Sequence, residues 1–149
     1  MVTMDARRIF LDTNILISAI VPDSPRYFHA RGVLQRLERS ISELWISRQV
    51  LREFLSALTR PQVFVKQFPL SALLTAANEY EQVFVVAEDH ALVTQQLYFL
   101  LDKIPCGGKQ VHDANIVATM LAFDISQLVT YNTEDFSRFS GLIEVVSEV

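Results

Sequence analysis

The order of apolar and polar residues along the chain predicts short buried strands separated by helices. Brief apolar runs at 9–11 and 44–46 are typical of strands buried on both faces, and longer segments between the runs repeat apolar residues at helical spacing. The predicted strands cover 9–11, 44–46, 83–86, 127–130 and 142–146. The predicted helices cover 15–21, 27–39, 47–59, 70–79, 90–104 and 111–123, with irregular structure over 63–69 and a short helical turn within 132–139.

Strands that alternate with helices indicate an α/β fold, in which a mainly parallel sheet of about five strands carries helices on both faces. We expect one three-layer α/β/α domain over residues 1–149, because the sequence contains no repeat, linker or low-complexity tract. The helix over 90–104 is apolar on more than one side, which suits a subunit interface. The helix over 27–39 is predicted to bury Phe28, Val33, Leu34 and Leu37.

Polar residues from distant parts of the chain follow the predicted strands. Asp12 comes directly after the first strand, and Glu53 lies on the helix that follows the second. Asn132 and Asp135 follow the fourth strand, and Asp113 is in the first turns of the preceding helix. Ligands of open parallel sheets bind beyond the carboxyl ends of the strands. We therefore expect these side chains to share one edge of the sheet.

Three of these acids also have an ordinary structural interpretation. Asp12 is a good N-cap, Asp113 can complement a helix dipole, and Glu53 lies on a helix flank where composition indicates a solvated acid. Two observations favour a site instead. Asp12, Thr13 and Asn14 are three capping candidates where one helix needs one. Asp113 lies on the apolar side of its helix, where a carboxylate is costly unless a cation or several donors meet it.

Charge and composition exclude several classes of function. A net charge of −4 excludes a generic polycation that coats nucleic acid, so nucleic-acid binding requires local basic residues or bound metal. One cysteine and three scattered histidines exclude an internal disulfide and a zinc site of the usual spacing. No apolar run is long enough to cross a bilayer, and Asp12 interrupts the first run before a signal-peptide core forms, so we expect a cytoplasmic protein.

Four segments together resemble the PIN-domain family, metal-dependent ribonucleases best known as the VapC-like toxins of bacterial and archaeal toxin–antitoxin pairs. Each segment alone is weak, but their order and spacing cover nearly the whole chain. The segments are Phe10-Leu11-Asp12-Thr13-Asn14-Ile15-Leu16, the helix with Glu53 from Ser47 to Pro61, His112-Asp113-Ala114, and Leu128-Val129-Thr130-Tyr131-Asn132-Thr133-Glu134-Asp135-Phe136.

The resemblance implies a catalytic site in which carboxylates hold a divalent metal, assisted by a neighbouring polar residue. The positions that match are Asp12, Glu53, Asp113, and Thr13 or Asn14. The family also has a fourth acid near the last motif, and many members carry Asp where this chain has Asn132. We favour Asp135 as the fourth acid, because an Asp-Phe pair is the usual end of that motif, with Asn132 as a neutral contact.

Clustered carboxylates need a cation, because two unit charges about 4 Å apart cost on the order of 4 kcal/mol at an effective dielectric of about 20. Oxygen ligands without Cys or His select Mg²⁺ or Mn²⁺. Such an ion can acidify a bound water and neutralise charge on an in-line transition state. The residues alone therefore predict metal-assisted hydrolysis of a phosphate ester, and the resemblance narrows this to RNA phosphodiester bonds.

Contacts to the RNA are predicted from residues next to the acids. Arg48, Arg52 and Lys109 can pair with flanking phosphates, although ordinary solvated surface charge explains each of them equally well. Tyr131 and Trp45 can stack on a base, but Trp45 lies in a predicted strand, which favours a core position.

Other functions remain open at this stage. The domain can be a non-catalytic PIN-like interaction module, or a nuclease of RNA processing rather than a toxin. A Mg²⁺-dependent phosphatase usually needs a second acid two residues after its aspartyl nucleophile, where this chain has Asn14. Four glycines form no phosphate-binding loop, which disfavours a nucleotide-binding module. The apolar surplus and the resemblance predict a homodimer that also binds a small antitoxin through hydrophobic grooves.

Overall fold

A computed structural model describes residues 6–61 and 67–148, and within them the chain forms a five-stranded sheet with helices. The strands are β1 (Arg7–Leu11), β2 (Ser42–Ser47), β3 (Val85–Ala87), β4 (Gln127–Val129) and β5 (Glu144–Val146). The helices are α1 (Thr13–Ile20), α2 (Tyr27–Glu38), α3 (Arg48–Leu58), α4 (Leu70–Val83), α5 (Ala91–Lys103) and α6 (Gln110–Ala122), with a 3₁₀ turn over Ser137–Phe139. Most of the segment predicted to be irregular, 63–66, lies outside the described residues.

The sheet has the order β3-β2-β1-β4-β5, and every neighbouring pair is parallel. β2 and β3 lie on one side of β1, whereas β4 and β5 lie on the other side. Right-handed crossovers then place α1–α4 on one face and α5 and α6 on the other. Contacts agree, since α1 packs on α2 and α3, α3 packs on α4, and α5 packs on α6. The predicted α/β fold with a parallel sheet is confirmed, and its switch point lies between β1 and β4.

The core is built around β1, which is covered on both sides. Ile9, Phe10 and Leu11 are each at most 1% exposed, as expected for a strand buried on both faces. Because successive side chains of a strand point to opposite faces, burial of all three requires helices on both sides of the sheet. The residue that follows, Asp12, is therefore carried to the rim by one of the best-packed elements of the molecule.

Two details of the helices differ from the sequence-based expectation. Phe28 was expected in the core but is 85% exposed, because the buried side of α2 passes through Ala30, Val33 and Leu37 and Phe28 falls on the opposite side. α4 continues to Val83, where a strand was predicted, because the Phe84 N–H still bonds the Tyr80 carbonyl at 2.9 Å. β3 is consequently shorter and later in the chain than the valine-rich segment suggested.

α5 has apolar side chains on more than one side, as predicted. Val93 and Leu100 are buried, whereas Leu92, Tyr98 and Phe99 are 43%, 68% and 52% exposed. Within the described residues, none of the helices combines the length and apolar character needed to span a bilayer.

Candidate active site

Asp12 lies at the rim of the sheet where β1 ends, and its carboxylate receives more hydrogen bonds than a helix cap requires. It is the N-cap of α1, with its Oδ1 accepting from the Thr13 N–H at 2.7 Å. Its Oδ2 accepts from the Thr130 hydroxyl at 2.7 Å and from the Asn14 amide at 3.2 Å. Asp12 is only 6% exposed. The capping interpretation is therefore correct but accounts for one of its two oxygens.

Thr130 is a residue of this network that the sequence analysis did not single out. It follows β4, is fully buried, and donates its hydroxyl to Asp12 while accepting from the Asn14 amide at 3.1 Å and the Asn132 N–H at 3.0 Å. Asn14 in turn accepts from the Tyr131 N–H at 3.1 Å. These bonds tie the ends of β1 and β4 together. In the sequence, Thr130 is marked only by its place at the end of the predicted strand 127–130, within the last of the four segments.

Glu53 reaches the same rim from α3, so the view of it as a solvated surface acid is incorrect. α3 begins after Ser47, whose side chain caps it by accepting from the Val50 N–H at 3.3 Å. Glu53 is half-buried, and its two oxygens accept from the Thr13 hydroxyl at 3.0 Å and the Gln49 amide at 2.8 Å. Each oxygen keeps a second lone pair for another partner.

The acids meet in a pocket of about 280 Å³ at the carboxyl edge of the sheet. Residues from α1 and its N-cap, from α3 and the segment after it, from α6 and from the turn after β4 line it: Asp12, Thr13, Asn14, Ile17, Glu53, Ser56, Ala57, Arg60, Asp113, Ile116 and Asn132. Asp113 is half-buried, next to the fully buried Ala114 and Val117. Asp135 is exposed and outside this lining, whereas Asn132 is part of it.

The pKa values of two acids reflect burial and mutual repulsion. Burial, partly offset by hydrogen bonds from Thr130 and Thr13, raises the pKa of Asp12 to about 6, and the charges of Glu53 and Asp113 add to the increase. Burial also raises the pKa of Asp113, and the nearby charges of Asp135 and Glu53 raise it further. Asp135 therefore lies close enough for its charge to reach Asp113, even though it is not part of the pocket wall.

The donor set of the pocket fits a hard divalent cation. Among the described residues its lining offers carboxylate, amide and hydroxyl oxygens, the ligands that Mg²⁺ and Mn²⁺ prefer, together with one cation, Arg60, and neither histidine nor cysteine. The raised pKa of Asp12 marks a charge that a cation would stabilise. Within residues 6–61 and 67–148, no three side chains of Asp, Glu, His or Cys are arranged closely enough to hold one ion as they stand. Coordination by three acids therefore requires side-chain rotation.

The basic residues near the pocket differ in how far their charges are already paired. Arg48 is bonded to Glu88 at 2.9 and 2.6 Å and also to Glu81, so it is the weakest of the three predicted phosphate ligands. Arg52 pairs with Asp89 at 3.1 Å. Among the described residues, Lys109 and Arg60 form no ion pair within 4.0 Å, and Arg60 was not singled out from the sequence.

A second, larger groove of about 670 Å³ adjoins the acidic pocket. Glu53 and Arg60 line both, and the groove is otherwise lined by Gln49, Arg52, Leu97, Lys109, Val111, His112 and Asn115. The groove therefore places three cations next to the acids: Arg52 on α3, Arg60 after α3, and Lys109 at the start of α6.

The two aromatic residues considered for base stacking lie in different surroundings. Trp45 is buried in β2 at 9% exposure, as its strand position indicated. Tyr131 is half-buried beside the pocket network, with the Arg26 guanidinium 4.2 Å from the centre of its ring and its hydroxyl 2.7 Å from His29 Nδ1. One face of Tyr131 is thus already occupied by a cation.

Several solved structures share this fold. VapC20 of Mycobacterium tuberculosis, described as a sarcin–ricin loop cleaving toxin, superposes with a TM-score of 0.70 at 20% identity, covering 92% of this chain and 98% of that one. A toxin–antitoxin complex from Klebsiella pneumoniae superposes with a TM-score of 0.65 at 21% identity, covering 95% of this chain and 99% of that one. VapBC2 of Rickettsia felis, bound to promoter DNA, superposes with a TM-score of 0.63 at 20% identity, covering 93% of this chain and 97% of that one.

At these identities the likeness shows a shared fold. No curated protein matches the chain by sequence. The PIN domain family does match, over residues 9–142, which include β1 with Asp12, α3 with Glu53, α6 with Asp113 and the turn after β4. The chain therefore belongs to the PIN domain family.

Proposed function

We propose that this protein is a divalent-metal-dependent endoribonuclease, the toxin of a type II toxin–antitoxin pair, acting in the cytoplasm. The observation that carries the proposal is the convergence of Asp12, Glu53 and Asp113 on one pocket at the switch point of the sheet. Membership of the PIN domain family and the fold shared with VapC toxins support nuclease chemistry and the toxin role. The RNA substrate, the metal and the catalytic assignments are part of the proposal.

In this proposal the chain's own residues hold two of the three carboxylates, those of Asp12 and Glu53, before substrate arrives. Mg²⁺ or Mn²⁺ held by Asp12, Glu53 and Asp113 would supply Lewis-acid stabilisation of the phosphate and a more acidic water. Thr130 and Asn14 orient Asp12 by their hydrogen bonds, and Thr13 orients Glu53. Asp135 supports the site from its exposed position, with Asn132 as a neutral contact on the pocket wall.

RNA cleavage that depends on a divalent metal is the first expected result. Purified protein incubated with Mg²⁺ or Mn²⁺ should cut single-stranded or loop RNA, including an RNA carrying a sarcin–ricin loop, and EDTA should abolish the products. Gel separation of end-labelled RNAs provides the measurement. Cleavage that persists in EDTA would contradict the metal mechanism. Inactivity on every RNA with either metal would instead favour a PIN-like interaction module.

The groove beside the pocket is the proposed path of the RNA backbone. Arg60 lines both cavities, and Lys109 lines the groove, with neither paired to an acid within the described residues. Arg52 lines the same groove, but its charge is paired with that of Asp89. Because the net charge of the chain is −4, these local cations have to attract a polyanion against the overall field.

Replacing either unpaired cation should weaken RNA binding through the phosphates. Arg60→Gln and Lys109→Gln, each in an Asp113→Asn background that removes cleavage, should each lower the salt dependence by about 0.7 in the slope of log K against log salt, the share of one phosphate on a single strand. Arg39→Gln, an exposed arginine just before β2 at the opposite edge of the sheet, is the matched control. Fluorescence anisotropy over a salt series measures the slopes, and slopes equal to that of the control would refute the path.

Assembly is proposed from the exposed apolar side chains. Leu92, Tyr98 and Phe99 of α5 support a homodimer through that helix, and Phe28 of α2 adds a separate apolar site. The fold shared with toxin–antitoxin complexes supports a small antitoxin protein as the second partner. Burying such side chains stabilises an interface by about 25 cal/mol per Å² of apolar surface, before the cost of association.

A further inference from the structure

Gln49 is a buried amide that joins α3 to α6 beside the acidic pocket. It is 6% exposed and lies one helical turn before Glu53. Its Nε2 donates to Glu53 Oε1 at 2.8 Å and to the His112 carbonyl at 3.0 Å. Its Oε1 accepts from the Asn115 amide at 2.8 Å. Both hydrogens and one lone pair of the amide are therefore used. One partner is the candidate metal ligand Glu53, and the other two lie on either side of Asp113 in the chain.

Asn115 fixes which way the Gln49 amide faces. Because the Asn115 N–H₂ group donates to Gln49 Oε1, the Gln49 N–H₂ group is turned toward Glu53 and the His112 carbonyl. A reversed amide would bring its oxygen against a carboxylate and a carbonyl, which are both acceptors. The order Asn115 to Gln49 to Glu53 is thus a directed chain of donors that ends on a carboxylate.

This chain connects two acids that repel each other. His112 directly precedes Asp113, so Gln49 ties the side chain of Glu53 to the backbone beside Asp113. The charge of Glu53 raises the pKa of Asp113, which shows that the two carboxylates act on one another. Thr13 holds the other oxygen of Glu53 from the side of Asp12. Thr13 and Gln49 therefore each hold one oxygen of Glu53, and Gln49 also bonds the backbone next to Asp113.

We propose that Gln49, oriented by Asn115, is a positioning residue that holds Glu53 for divalent-metal binding. The inference rests on the proposed function, because it assumes that Glu53 is a metal ligand. Partners that orient metal ligands typically change metal affinity 10–100-fold when removed. Gln49 touches neither metal nor substrate in this role, and its effect is exerted through the carboxylate of Glu53.

The test compares two buried glutamines replaced by the same residue. Gln49→Leu should weaken Mn²⁺ binding about 10–100-fold, measured by titration calorimetry without RNA. Gln127→Leu is the control, because Gln127 is 4% exposed, begins β4 at the opposite edge of the sheet and has an Oε1 that finds no hydrogen-bond partner among the described residues. It should bind Mn²⁺ like the wild type. Thermal melts in EDTA check that both variants fold.

A second variant tests the orientation and remains informative if Gln49→Leu does not fold. Asn115→Asp replaces the donor to Gln49 by an acceptor, which turns the Gln49 amide away from Glu53. It also adds a negative charge, which by electrostatics alone would tighten Mn²⁺ binding. The positioning role predicts weaker binding, against that charge effect. Unchanged or tighter binding in Asn115→Asp, or wild-type affinity in folded Gln49→Leu, would overturn the role of Gln49 and leave the proposed function standing. A wild type that binds no Mn²⁺ would overturn both.

Discussion

Asp113→Asn is expected to reduce RNA cleavage by orders of magnitude without destabilising the metal-free protein. In EDTA the variant should be as stable as the wild type or more stable, by about 1 kcal/mol for one relieved and partly screened like-charge contact. The reason is that burial and the charges of Asp135 and Glu53 already disfavour the ionised form of Asp113. With Mg²⁺ the wild type should gain stability by mass action, and the variant should gain less.

The ordinary alternative for Asp113 predicts the reverse. An acid that serves only the dipole of α6 would lose that favourable interaction when replaced by Asn, and Mg²⁺ would make no difference. No donor among the described residues hydrogen-bonds the Asp113 side chain, so the Asn variant sacrifices no such bond. Thermal melts of both proteins with and without Mg²⁺ separate the two interpretations. A destabilised variant that ignores Mg²⁺ would establish the dipole role.

A matched control separates local from overall charge effects. Glu144→Gln removes one negative charge at the start of β5, at the opposite edge of the sheet, where Glu144 is exposed and paired with Arg7 at 3.1 Å. An exposed pair of this kind contributes about 0–1 kcal/mol. The control should therefore retain cleavage and the full stabilisation by Mg²⁺. If it loses either one as Asp113→Asn does, the effect belongs to net charge and not to the pocket.

The sequence predicted where the acids lie because two general rules act together. Strands alternating with helices imply a parallel sheet, and the carboxyl ends of its strands lie at one edge. Asp12 and Asp113, far apart in the chain, are brought to that edge by topology alone. The direction of the Glu53 side chain is harder to predict, because helical periodicity places it on a flank. The hydrogen bonds from Thr13 and Gln49 explain why it points inward.

The positioning residues could not be predicted, because their roles depend on contacts between distant neutral groups. Thr130 meets Asp12 across 118 positions of sequence, and Gln49 meets Asn115 across 66. A threonine or glutamine in such a place has many ordinary roles. The pairing of Arg48 was equally hidden, since Glu88 lies 40 positions away and comes near only when α3 follows β2 beside β3.

The burial of individual side chains is predicted wrongly where helical periodicity gives too little information. Phe28 is expected in the core because large apolar side chains are usually buried, but the buried residues of α2 are Ala30, Val33 and Leu37. Its 85% exposure follows from its place on the opposite side of the helix. Phe28 is therefore available to the partner surface proposed above.

The stability of the metal-free protein should rise as the pH falls from about 7 toward 4. Asp12 has a pKa of about 6 in the folded chain, against an ordinary value of 3.8 when unfolded. Between these two values the folded state binds more protons than the unfolded state, so stability increases as pH decreases. A difference of about two pKa units corresponds to at most about 3 kcal/mol. Asp113, whose pKa is also raised, acts in the same direction.

Divalent metal should reverse this dependence, because it binds the ionised carboxylate and competes with the proton. The increase in Tm caused by Mg²⁺ should be largest near pH 8 and fall toward zero as the pH drops through 6, with ~2–4 °C for each kcal/mol in a chain of this size. Asp12→Asn removes the titrating group, so its melts in EDTA should show a weaker rise with falling pH, and Mg²⁺ should add little at any pH. General charge repulsion also falls near the isoelectric point, and the difference between the two proteins cancels it because their other acids are the same. Parallel slopes for wild type and Asp12→Asn in EDTA would show that the buried carboxylate does not govern the pH dependence.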